Sequence, residues 1–167
     1  QEGLQSTVTE IKSKQQPIKQ TKTVKKHSMF KENYYQNMEL WLGLRNQLEV
    51  DKDPFDSVFK FWNNVPTSKI SIDPYDKERW PDPWEMIYEN DYCEFKKILA
   101  ICYTLQLTDR FSRSDFGIHI TLDRDKSRYL YLLEVDNKTI SIYNNIVGFM
   151  NASTVTPVQY SELPQYS

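Results

Sequence analysis

Residues 82–106 read DPWEMIYENDYCEFKKILAICYTLQ, and the fold turns on this stretch. Asp82, Pro83 and Glu85 supply an N-cap, a proline in the first turn and the acid of a capping box, which predicts a short helix to about Glu89. Asp91 and Glu94 repeat the capping spacing, so a second helix is expected to about Gln106, with Cys93 in its first turn. Tyr92, Phe95, Ile98, Leu99, Ile101, Cys102, Tyr103 and Leu105 make that helix apolar nearly all round, the pattern of a central buried helix.

Upstream, Tyr34, Met38, Trp41, Leu44 and Leu48 recur at three- and four-residue steps and predict an amphipathic helix from about Met29 to Leu48. Asp53 and Pro54 open another, with Phe55, Val58, Phe59 and Trp62 on one stripe. Residues 63–82 hold Pro66, Pro74 and Pro81 among polar residues and read as a long irregular connection. Downstream the period falls to two. Gly117–Leu122, Arg128–Val135 and Lys138–Tyr143 read as three antiparallel strands, and Val155–Tyr160 as a further one. Helices followed by a meander predict an α+β domain.

The chain has 167 residues, enough for one domain with a single core. No apolar run approaches the length of a membrane span and the start is polar, so neither a membrane segment nor a signal peptide is expected. Residues 1–31 carry seven Lys against two Glu, a charge of +5, while the remaining 136 residues carry 14 basic against 21 acidic, or −7. An acidic body from residue 32 to 167 therefore wears a basic arm. Rich in Gln, Thr and Lys, the arm cannot bury enough apolar surface to fold alone, and it is expected to order on other protein subunits of an assembly. Lys25 and Lys26 could meet nucleic acid phosphate, but without interleaved aromatics or arginines that partner is disfavoured.

Lys, Ile, Tyr and Asn total 48 residues against two Ala and four Gly, the skew of an AT-rich genome such as that of some phages. The expected location is the cytoplasm or a virion. Cys93 and Cys102, nine residues apart on one helix, would stand about 13.5 Å apart in rise and on opposite faces, beyond disulfide reach. Both are read as reduced thiols. The sequons at Asn137 and Asn151 are read as chance without a secretory signal. Two His and two Cys so placed give no metal-ligand spacing, and the four scattered glycines give no phosphate loop, so neither a metal nor a cofactor is expected.

A thiol at a helix N-terminus is favoured as thiolate by the macrodipole, against the opposing charges of Asp91 and Glu94. His119 is the only histidine outside the arm. With a hairpin turn centred between Lys126 and Ser127, His119 falls opposite Glu134 and diagonal to Asp136 on one face. Cys93, His119 and Asp136 are thus candidates for nucleophile, base and orienter. Each has a plainer reading: Cys93 as a small core residue, His119 as a strand histidine, Asp136-Asn137 as a two-residue hairpin turn. Trp62, Trp80 and Trp84 read as core and loop anchors.

From Asp53 to Asn144 the sequence resembles the transglutaminase-like superfamily, with its papain-like fold. The resemblance lies in an Asp-Pro aromatic helix (DPFDSVFKFW), a short helix entering a cysteine-headed one, a strand bearing His and a following strand ending in Asp. It implies Cys93 as nucleophile, His119 as base and Asp136 as orienter, in acyl transfer from glutamine side chains or peptide hydrolysis through a thioester. Tyr92 before the cysteine, Ile120 and Thr121 after the histidine and Asn137 after the aspartate differ from the family's usual residues. The resemblance therefore carries architecture further than activity. The expected function is a structural, docking component on a transglutaminase-like scaffold, with an active thiol acyltransferase or cysteine protease as the alternative.

Overall fold

The computed structural model describes residues 33–123, 127–141 and 155–162. The basic arm expected over residues 1–31 lies outside them. Helix α1 spans Tyr34–Leu48, starting later than the periodicity suggested because Asn33 forms a capping box with Gln36. It buries Asn37, Trp41, Leu44 and Leu48, while Tyr34 and Met38 sit at the edge of the core. Helix α2, Pro54–Asn63, begins at the predicted Asp53 cap and seats Val58 and Trp62 in the core.

The connection to residue 82 is irregular apart from one 3-10 turn at Lys77–Arg79. Helix α3, Pro83–Glu89, carries the predicted capping box between Asp82 and Glu85 at 2.8 and 2.9 Å. Asp82→Ala is expected to lower the unfolding free energy by about 1 kcal/mol in a urea titration, since an orphan N–H of the first turn loses its acceptor.

Helix α4 spans Glu94–Gln106, with Cys93 as its N-cap rather than inside its first turn. The reason lies in how the link before it is held. Asn90 turns left-handed at φ 52° to end α3, and Tyr92 is held by its phenol donating to the Met86 carbonyl and its own carbonyl accepting from Ser68 N–H. Residues 90–92 are thereby fixed as a link, and the Asp91 capping box expected from spacing does not form. Every residue from Phe95 to Gln106 is buried, as the all-round apolar pattern predicted.

Strands β1 (Phe116–Asp123), β2 (Arg128–Val135), β3 (Lys138–Ser141) and β4 (Val155–Glu162) form one antiparallel sheet in the order β3-β2-β1-β4. The fold is α+β, as expected. β3 was expected to reach Tyr143, and residues 142–143 lie outside the described ones. Pro157, which cannot donate to a ladder, sits on the edge strand where the β1–β4 register shifts. The β2–β3 connection is the predicted two-residue turn, with Asp136 at φ 48° and Asn137 at φ 70°.

Alternation decides the two faces of the sheet. Phe116, Ile118 and Ile120 of β1 stand with Leu133 and Val135 of β2 in the helical core, and Tyr131 packs against it through an edge contact with Phe95 of α4. The positions between them, Gly117, His119 and Thr121 of β1 and Leu130, Leu132 and Glu134 of β2, belong to the opposite face.

Candidate functional site

Cys93 is buried, 3% exposed, where α4 meets the inner face of the sheet, and its side chain makes no capping hydrogen bond. On the same face, Tyr131 of β2 has its phenol pushed up to about 12 by burial first and then by Cys93 and Glu94. One turn along the helix, Lys97 donates to the Val65 carbonyl and to the Thr67 hydroxyl at 2.7 Å, tying the irregular connection to α4. Burial lowers its ammonium pKa. Glu94, expected to oppose a thiolate, lies 4.0 Å from Arg128 and joins the helix start to β2. Cys102 is fully buried and its thiol is pushed up by burial, in keeping with a core role. Both cysteines are free thiols.

His119 lies on the far side of the sheet. Its Nε2 is 3.1 Å from Glu134 Oε1, with both side chains about one-third exposed. The hairpin register differs by two residues from the expected one: His119 faces Leu132, and Glu134 faces Gly117. A shift of two keeps the same face, so Glu134 becomes the diagonal neighbour and reaches the imidazole, while Asp136 moves a further step away. Asp136 pairs instead with Asp115, accepting its N–H on Oδ1 at 2.9 Å and returning its own N–H to the Asp115 carbonyl. That backbone hydrogen bond, with the Ser114 hydroxyl, lowers the Asp136 carboxyl pKa. About four residues of strand, on the order of 13 Å, separate it from the His119 position.

The structure thus brings His119 together with Glu134, leaves Asp136 in the turn, and sets the sheet between His119 and Cys93. Glu134 was visible in the sequence as a same-face neighbour, but the assumed turn centre gave it a different place. Asp136 also borders an open cleft of about 310 Å³ between the α2 start and the β2–β3 turn, whose lining includes Lys52, Phe55, Arg110, Phe111 and Lys138. Nothing in local sequence patterning points to that cleft, because its walls come from three separate segments. Of the tryptophans, Trp62 and Trp80 are core residues and Trp84 is partly exposed against Trp41.

No family model matches the chain, and neither does any curated protein. Among the described residues no group of His, Cys, Asp and Glu could hold a metal ion, and no helix is long and apolar enough to cross a membrane.

Proposed function

We propose that this chain is a non-catalytic component of a larger protein assembly, built on a transglutaminase-like scaffold and attached to its neighbours by the basic arm of residues 1–31. One observation carries the reading. A nucleophile, base and orienter must share hydrogen-bond reach, and here Cys93 is buried on the helical side of the sheet while His119 and Glu134 stand on the other. The order of elements, a cysteine-headed central helix followed by an antiparallel meander, supports the scaffold. The +5 arm on a −7 body supports docking by complementary charge, and the AT-skewed composition suits a phage virion.

Iodoacetamide labelling across pH 5–9, read by mass spectrometry, tests the reading. Cys93 should label slowly at every pH, with Cys102 silent, and His119→Ala should change neither. Rapid labelling of Cys93 below pH 7 that disappears in His119→Ala would instead establish a working dyad and the thiol-enzyme alternative. Limited proteolysis of the isolated chain tests the arm: cleavage is expected throughout residues 1–31, and protection there without a partner would remove the case for docking.

A further inference from the structure

Helix α1 carries two apolar stripes. The first, at Trp41, Leu44 and Leu48 with the buried Asn37 in line, faces the core. At about 100° per residue, the second runs along Tyr35, Met38 and Leu42, roughly a quarter-turn or more away. Tyr35 is 77% exposed and Leu42 48%, and beside them α3 presents Tyr88 at 74%. Tyr34 joins the two helices, with edge contacts to Tyr35 at 5.4 Å and Tyr88 at 5.7 Å. Exposed Tyr, Trp and Leu gathered on one face are the composition of an interface core rather than of a solvated helix.

The same face holds a cation with no ion pair among the described residues. Arg45 lies over the Trp41 ring at 4.3 Å and near that of Trp84 at 6.0 Å, and its buried Nε has no hydrogen-bond partner. Burial alone lowers its pKa, with no carboxylate among the causes. A half-buried guanidinium without a counter-ion is costly, and the face that covers it should bring a carboxylate. The helix itself carries one at the matching place. Glu39 stands three residues before Leu42 and Arg45 three residues after it, on either flank of the second stripe. Glu39 is exposed and makes no ion pair among the described residues.

We infer that α1 docks antiparallel against α1 of a second copy of this chain, about a two-fold axis at Leu42, pairing Arg45 of each copy with Glu39 of the other. A two-fold requires a self-complementary patch, in which residue i meets j and j meets i. Around Leu42 the offsets of −3 and +3 satisfy this with opposite charges, twice. Tyr35, Met38 and Leu42 follow the three-four spacing of a helix-pair seam, and Trp84 and Tyr88 widen it. The contact uses no residue of the arm, so it stands apart from the docking proposed above.

Sedimentation equilibrium of the full-length chain over a range of concentrations tests the pairing, with circular dichroism confirming that each variant is folded. A concentration-dependent monomer–dimer equilibrium is expected. Leu42→Glu, at a partly exposed position, should shift the chain to monomer. Glu39→Arg should weaken the dimer at least tenfold by placing two like charges at each crossing, and Glu39→Arg with Arg45→Glu should restore it. A monomer at every concentration would overturn the inference. So would a dimer that survives Leu42→Glu, because the contact would then lie elsewhere, for instance in the arm.

Discussion

Thr104→Val is expected to lower the unfolding free energy by about 2–6 kcal/mol, although the side chains are nearly the same shape. The Thr104 hydroxyl is fully enclosed in α4 and accepts hydrogen bonds from the indole N–H groups of Trp41 at 2.9 Å and Trp62 at 3.0 Å. It donates to the Ala100 carbonyl at 2.6 Å. Two lone pairs and one proton are all a hydroxyl offers, so its capacity is filled. This one oxygen joins α1, α2 and α4. Valine would leave two buried N–H donors without acceptors, at roughly 1–3 kcal/mol each. Against a typical domain stability of about 5–15 kcal/mol, the loss is a large share.

The control is Thr104→Ser, which keeps the oxygen and removes a methyl, at about 1 kcal/mol. Urea titrations at pH 7 should separate the two variants. Equal losses would mean that packing alone matters at this position. In the Thr104→Val background, Trp62→Phe should cost less than it does in the wild type, because the donor it removes is already orphaned.

Helix starts were legible because their signals are local. Asp53-Pro54 and Asp82-Pro83 with Glu85 combine residues that only a helix start accommodates well, and both hold in the structure. Asp91 and Glu94 have the same spacing without the outcome. What overrode them was tertiary: Asn90 takes the left-handed turn and Tyr92 is drawn into the core, so the helix begins at Glu94. The strands were legible from their period of two.

The register of β1 and β2 was not. The intervening residues, DRDKS from 123 to 127, are polar throughout, and a slip of two leaves every apolar side chain on its own face, so the pattern cannot choose. Which face meets α4 was half-legible. Ile118 and Ile120 already set His119 on the side away from them, but Leu130 and Leu132 make β2 apolar on both faces and hide which side takes the helix. The three candidates are therefore not brought together: Cys93 and His119 stand on opposite faces, and the register puts Glu134 rather than Asp136 beside His119.

Above pH 10 the protein is expected to lose stability steeply, and its buried tyrosines account for the slope. Burial drives the Tyr92 phenol well above its ordinary range, and Tyr131 is pushed up to about 12. An unfolded phenol ionises near pH 10. Between that pH and the folded value the unfolded chain has released a proton that the folded chain retains, so the folded state loses up to about 1.4 kcal/mol per pH unit for each fully buried phenol. Tyr131 is partly open to solvent and contributes the smaller part. Lys97 acts with the opposite sign. Its folded pKa is lowered, so the unfolded chain holds the extra proton and stability rises as pH passes from the folded value toward about 10.4. Cys102, its thiol also pushed up by burial, takes stability away from about pH 8.5 upward, so the curve should stay nearly level between about pH 8.5 and 10 and then fall. Tyr92→Phe gives the sharpest readout. Without the bond to the Met86 carbonyl the variant should be about 1 kcal/mol less stable at pH 8, yet more stable than the wild type near pH 12, so that the two curves cross. Parallel curves from pH 8 to 12 would show that Tyr92 ionises alike in both states, and Lys97→Met should make the fall begin at about pH 8.5 instead of pH 10, because the Cys102 loss is then unopposed.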